Sequence, residues 1–151
     1  PEERKVVAPA LARAEETQDA AAAMELPDGT IVTGRTTDLL GASSALLLNA
    51  LKALANLPDE LHMISPAAIE PIQHLKVDHL GNRNPRLHTD EVLVALSLLS
   101  NHDDDCRNAL DQLPKLKGCQ VHSTVMLSEV DRKIFNKLGV GLTCDPVTKV
   151  E

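Results

Sequence analysis

The chain has 151 residues, a formal net charge of -7 and a pI of about 5.3, with 43% hydrophobic and 25% charged residues. That length suits one domain with a core of its own, and the composition excludes a disordered chain. Because the balance is acidic and the only aromatic residue is a single Phe, general binding to a phosphate backbone and base stacking are both disfavoured, so we expect no nucleic-acid partner.

No apolar run approaches the roughly 18 residues that a membrane span needs, and the first residues lack a signal-peptide pattern. The three cysteines, Cys106, Cys119 and Cys144, are odd in number and far apart, which fits a reducing compartment better than a disulfide framework. We therefore expect a cytoplasmic location and no membrane partner. Since the chain opens on Pro1 without an initiator Met, we also expect a processed product or a fragment of a longer protein.

The first elements in chain order are a lead-in and a hairpin. Residues 1–20 are charged and Ala-rich and predict a helical lead-in or linker from an upstream domain, with the α/β domain over residues 21–151. The small residues 18–23 also favour a linker. Two β-prone runs, 24–26 and 30–33, then flank a Pro-Asp-Gly tripeptide whose residue types favour a turn, which predicts a hairpin.

Helices dominate the middle of the chain. Thr36, Thr37 and Asp38 offer N-cap chemistry for a long helix to about residue 57, and that helix is apolar almost all round. Residues 61–64 are predicted to form a short strand. Further helices are predicted after Ser65 (to about residue 80), Thr89, Asp103 and Ser128, and further strands at 119–127 and 140–143.

Strands separated by helices predict an α/β fold, a three-layer sandwich with a mixed sheet of four or five strands and helices on both faces. The element order resembles the cytidine-deaminase-like topology. Zinc chemistry in that fold needs a His or Cys, a Glu two residues later, and a Pro-Cys-x-x-Cys pair. Residues 41–45 read Gly-Ala-Ser-Ser-Ala and no two cysteines are close, so the resemblance implies the scaffold without its zinc motif.

Four stretches carry a second resemblance. They are LPDGTIVTG at 26–34, TDLLGA at 37–42, NPRLHTDEV at 84–92 and QLPKLKGC at 112–119. Together they resemble the C-terminal part of the uncharacterised bacterial domain-of-unknown-function family 1846. The resemblance implies a longer protein whose upstream part, the expected partner of this domain, carries a Gly-rich stretch ending in Gly-Lys that looks like a phosphate-binding loop. It implies no particular reaction or cofactor.

The richest polar stretch is residues 82–91, where two arginines, a histidine and two acids precede a helix. Helix N-termini favour anions. One hypothesis is that Arg83 and Arg86 hold a phosphate, His88 acts as acid or base, and Asp90 orients it or serves a metal. The alternative is that Asp90 and Glu91 complement the helix dipole while the arginines pair with acids.

A second polar stretch is Arg35, Thr36 and Thr37, which follows a strand but lacks the Gly-rich loop and Lys of a Walker A motif. These residues either cap a helix or bind ligand on a wall shared with the upstream domain. For metals, His74 and His79 are five residues apart and would diverge on an α-helix of about 3.6 residues per turn, so we expect no metal site.

Two functional hypotheses follow. The domain contributes one wall of a nucleotide- or phosphate-ligand site, with or without catalysis, or it is a non-catalytic structural or oligomerisation domain. The apolar helices predicted over 38–57 and 90–99 favour the second, because excess apolar surface needs a partner such as a second copy. Whether Arg86 and His88 line a concave pocket distinguishes the two hypotheses.

Overall fold

The hairpin and the strands that follow it form one sheet. A computed structural model describes residues 4–145; residues 1–3 and 146–151, the outer ends of the predicted lead-in and domain, lie outside that range. The described elements, in chain order, are α1 (Val7–Thr17), β1 (Ala21–Glu25), β2 (Ile31–Arg35), α2 (Ala42–Leu54), α3 (Pro66–His74), a π-helical segment (Leu75–His79), α4 (Thr89–Leu99), α5 (Asp104–Leu110), a 3-10 turn (Leu113–Leu116), β3 (Gln120–Ser123), α6 (Glu129–Lys137) and β4 (Gly141–Cys144).

The strand order is β2-β1-β3-β4. Strand β1 is antiparallel to both β2 and β3, whereas β3 and β4 are parallel. Strands β2, β3 and β4 therefore point the same way, and their carboxyl ends lie at the same edge of the sheet. The predicted fold class, an α/β fold with a mixed sheet and helices on both faces, is confirmed.

The predicted hairpin is confirmed at the Pro-Asp-Gly turn. The Leu26 amide donates to the Thr30 carbonyl at 2.8 Å, the Thr30 amide donates to Asp28 Oδ1 at 2.9 Å, and Gly29 has φ of 89°. Strand β1, however, begins at Ala21, so the small residues 21–23 are not a linker. They are buried in an interior strand, where small side chains let helices approach both faces.

Both faces of β1 are covered, because successive residues of a strand point to opposite sides. On one face, Ala23 packs with Val6 and Ala10 at helix α1. On the other, Met24 lies in the main core with the apolar residues of α2, among them Leu47. Helix α1, which falls inside the predicted lead-in, therefore packs on the sheet. The division of the chain at residue 20 stays a prediction.

The strand predicted over residues 61–64 is wrong. Met63 is buried in the core, as an apolar run suggests, but its segment does not pair with the sheet. Side chains bind its carbonyls instead: Lys52 Nζ donates to the Leu61 carbonyl at 3.1 Å, and Cys106 Sγ lies 3.5 Å from the Met63 carbonyl oxygen. Two of its carbonyls therefore have side-chain partners in place of a neighbouring strand.

Among the predicted caps, Ser65 and Ser128 are confirmed, since each hydroxyl accepts from a backbone amide of the first helical turn. The cap predicted at Thr37 is wrong, because α2 begins at Ala42 after Gly41. The Thr37 hydroxyl instead accepts from the amides of the next two leucines, at 3.2 and 3.1 Å, and shapes the loop before the helix. The cap predicted at Thr89 lies one residue earlier, at His88.

Gly34 marks the closest approach of α2 to the sheet, since a Cβ there would lie 2.2 Å from the Leu46 backbone nitrogen. We expect Gly34→Ala to lower the free energy of unfolding by roughly 3 kcal/mol or more, because helix backbone cannot give way as a side chain can. Gly29→Ala is the control: it meets open space but a strained φ, with a cost of about 1–2 kcal/mol. Equal urea midpoints for the two variants would contradict this packing.

Candidate functional site

A cleft of about 760 Å³ lies at the edge of the sheet where β2 and β3 end and β1 begins. Thr36 follows β2 and Thr124 follows β3, and both line it. The loop that contains Arg83 and Arg86 forms one wall, and the end of α1, including Glu15, forms another. The volume lies in the range of small-molecule sites, and open α/β sheets bind ligands beyond the carboxyl ends of their strands.

The two arginines reach the cleft from a folded loop. Arg86 donates through Nε to the Thr37 carbonyl at 2.6 Å, and its amide donates to Asn84 Oδ1 at 3.0 Å. Arg83 is exposed and has neither a hydrogen bond nor an ion pair within residues 4–145. In that same range neither guanidinium has a carboxylate within 4.0 Å, so both positive charges lack a protein counter-ion.

Acidic groups also line the cleft. Asp19 forms an ion pair at 3.3 Å with Arg35, which does not line the cleft, so the negative charge of Asp19 has a counter-ion. Glu15 is exposed, and its carboxylate makes no ion pair among the described residues. The cleft therefore has one wall with two uncompensated cations and another with an uncompensated anion.

A buried lysine holds the arginine loop in place. Lys76 lies in the π-helical segment (Leu75–His79) and is only 3% exposed. Its ammonium donates to the Arg86 carbonyl at 2.6 Å and to Glu91 Oε1 at 2.7 Å, and it lies 3.4 Å from His88 Nδ1. One cation thus joins the π-helical segment, the arginine loop and the start of α4.

The charges of this cluster are coupled. A hydrogen bond with Glu91 raises the pKa of His88, although burial acts against it. Burial alone would raise the pKa of Glu91, but hydrogen bonds from His88 and Lys76 outweigh it and lower that pKa to about 2. At neutral pH the Glu91 carboxylate is therefore charged and bound to the Lys76 ammonium.

Protein carboxylates occupy the first amides of α4. Thr89 is fully buried, and its amide and hydroxyl donate to Asp131 Oδ1 at 2.9 and 2.7 Å. The His88 amide donates to Glu91 Oε1 at 2.8 Å. The sequence predicted that the amides at the start of α4 could bind an external anion. In the structure, carboxylates of the protein itself accept from these amides.

The structure separates the seven predicted site residues into two groups. Those that line the cleft are Thr36, Arg83 and Arg86. Those that do not are Arg35, Thr37, His88 and Asp90. Arg35 forms an ion pair with Asp19, and the Thr37 carbonyl accepts a hydrogen bond from Arg86. An acid–base role for His88, with Asp90 beside it, stays a prediction.

Sequence reasoning missed three residues that shape this region, namely Glu15, Lys76 and Asp131. Lys76 stands between Leu75 and Val77, and a cation in an apolar stretch is the one available signal. Nothing local reveals that a π-helical turn buries it, or which carboxylate it meets.

The expected divergence of His74 and His79 is wrong, since their ring centroids lie 4.9 Å apart. The π-helical segment has more residues per turn than an α-helix, which brings positions five apart onto one side.

Within residues 4–145 no three His, Cys, Asp or Glu side chains are grouped to hold a metal. No helix in the described range is long and apolar enough to cross a membrane.

These features define an α/β domain with helices on both faces of a mixed sheet and a cleft at its edge. Residues 2–151 match the family described as "Domain of unknown function DUF1846, C-terminal", and the chain belongs to that family. A UPF0371 protein of Corynebacterium aurimucosum is 61% identical over 145 residues, 96% of this chain, and one of Streptococcus uberis is 49% identical over 147 residues, 97% of this chain. The chain spans only 29% and 30% of the lengths of these bacterial relatives, whose names state no activity.

The lowered pKa of Glu91 predicts a pH dependence of stability. Its ion pair stabilises the fold fully above the unfolded-state pKa of about 4.5 and loses that effect as pH falls toward about 2. We expect the gap in unfolding free energy between the wild type and Glu91→Gln to be largest near neutral pH. It should shrink steadily below about pH 4.5 in denaturant titrations. A gap that does not change with pH would show that the carboxylate charge is not what holds the loop.

Proposed function

We propose that this domain supplies one wall of a binding site for a small phosphate-bearing ligand, such as a nucleotide, within a larger protein. The observation that carries the proposal is the presence of Arg83 and Arg86, without carboxylate partners among residues 4–145, in a cleft beyond the carboxyl ends of β2 and β3. Guanidinium groups match the geometry of phosphate oxygens and stay charged at every physiological pH.

Preorganisation supports the proposal. The bond from Arg86 Nε to the Thr37 carbonyl fixes one side of the guanidinium and leaves its two Nη groups for a ligand. The Lys76 ammonium fixes the Arg86 carbonyl, so the backbone is held as well. At the sheet edge, Thr124 Oγ1 accepts from the Ala21 amide at 3.0 Å, which leaves its hydroxyl proton for donation. A site held in this way loses little conformational freedom on binding.

The part of the site that this cleft does not enclose belongs to the rest of the protein in this proposal, because the chain spans under a third of its relatives' length. The cleft residues bind and orient. If the protein is an enzyme, the reacting groups come from outside this chain or from His88 and Asp90, which follow the arginine loop in sequence. A cytoplasmic location is part of the proposal, since Cys106, Cys119 and Cys144 are free thiols, as suits a reducing compartment.

Arginine variants of the full-length protein test the site. We expect Arg83→Ala and Arg86→Ala each to weaken binding of inorganic pyrophosphate by about ten- to a hundredfold in calorimetric titrations, because a charge-assisted hydrogen bond contributes roughly 1.5–3 kcal/mol. Arg132→Ala is the matched control, since Arg132 is exposed on α6 and does not line the cleft. Unchanged affinity in both cleft variants would exclude this wall from the site.

One observation favours the second hypothesis, a structural or oligomerisation role. Val94 and Leu98 are 61% and 67% exposed and lie one turn apart on α4. The apolar residues of α2 do not add to this surface, because Leu46, Leu47 and Leu51 are fully buried in the core of the domain. Helix α4 is therefore the surface on which the rest of the protein or a second copy would pack.

A paired substitution tests that surface. If α4 is an interface, Val94→Ser with Leu98→Ser should lower the melting temperature of the full-length protein or its sedimentation coefficient, while pyrophosphate binding is retained. Lys133→Ser with Lys137→Ser is the control, because this pair has the same spacing on the exposed side of α6. If both pairs behave like the wild type, α4 is an ordinary surface.

A further inference from the structure

The wall of the cleft formed by α1 is electronegative. It is formed by the last turn of α1, where Ala14, Glu15 and Gln18 line the cleft. The helix ends at Thr17, and its last turn contains no basic side chain. The carbonyl end of a helix carries partial negative charge. Gln18 donates through its backbone amide to the Ala14 carbonyl and through Nε2 to the Glu15 carbonyl, but no cation lies in that turn.

The carboxylate of Glu15 adds a full charge to this wall. The nearest cation along the helix, Arg13, is bound to Glu16 at 2.7 Å, and Arg35 is bound to Asp19. Glu15 therefore has no counter-ion within residues 4–145. A ligand that carried only negative charge would gain from the arginine wall but would be repelled by this one.

Aromatic stacking is absent from the cleft as described. Phe135 is the single aromatic residue of the chain, and it is fully buried in the core. The end of the ligand that faces α1 is therefore recognised by charge and hydrogen bonding on this side of the site. A hydrogen-bond donor, above all a cationic one, suits a carboxylate at the negative end of a helix.

We propose that the ligand is dipolar: a phosphate held by Arg83 and Arg86, and a primary amine or similar cationic donor held by the Glu15 carboxylate at the carbonyl end of α1. This inference rests on the proposed phosphate site and specifies its ligand class as amino-bearing phosphate esters. Both charged walls of the cleft are then used by one molecule, and neither is left facing a like charge.

The test compares two probes that differ in one amino group, O-phosphoethanolamine and ethyl phosphate, by calorimetric titration of the full-length protein. We expect the amine to improve affinity by on the order of tenfold, as one charge-assisted hydrogen bond does. Glu15→Gln should remove that advantage and leave ethyl phosphate binding intact or slightly improved. Glu70→Gln, which neutralises an exposed glutamate on α3 outside the cleft, should preserve the advantage.

The outcomes separate the two proposals. Equal affinity for the two probes, unaffected by Glu15→Gln but reduced by Arg86→Ala, overturns the dipolar ligand and retains the phosphate site. If neither probe binds the wild type, or if both bind independently of Arg83 and Arg86, the phosphate site fails and the dipolar inference fails with it.

Discussion

The buried ammonium of Lys76 fixes the geometry of the arginine wall. Removing such a charge from water costs several kcal/mol unless it is paired and hydrogen-bonded. Here the pairing is with Glu91 and the Arg86 carbonyl, and Glu91 also binds the His88 amide at the start of α4. If the loop moved away from α4, the buried ammonium would lose one of its hydrogen-bond acceptors, the Arg86 carbonyl. This cost holds a surface loop in the geometry that a binding site needs.

The sheet topology determines where that wall faces. Because β2, β3 and β4 run in the same direction, the residues after β2 and β3 meet at one edge, and the reversed β1 starts there. The chain enters β1 from α1, so the carbonyl end of that helix is brought to the same edge, where it lines the cleft together with Arg83 and Arg86. The cleft therefore has a negative wall because α1 leads directly into β1, and a positive wall because Lys76 holds the arginine loop at the same edge.

The sequence was sufficient to predict those local structures that depend only on residues close together in the chain. The turn at Asp28 and Gly29 and the caps at Ser65 and Ser128 all depend on residues within about four positions, and each was predictable. The strand expected over residues 61–64 failed because Lys52, from another element, binds its backbone. The arginines could be proposed as site residues from their charge, but the burial of Lys76 and the approach of Glu15 depend on contacts between segments far apart in the chain.

The most direct test is a crystal structure of the full-length protein with an amino-bearing phosphate ester. Phosphate density within hydrogen-bond distance of the guanidinium groups of Arg83 and Arg86, with the amine directed toward Glu15 and the end of α1, is the predicted result. A cleft filled by the protein itself, with an upstream carboxylate paired to Arg83 and Arg86 and an upstream cation paired to Glu15, would contradict it and would make this surface a contact between domains.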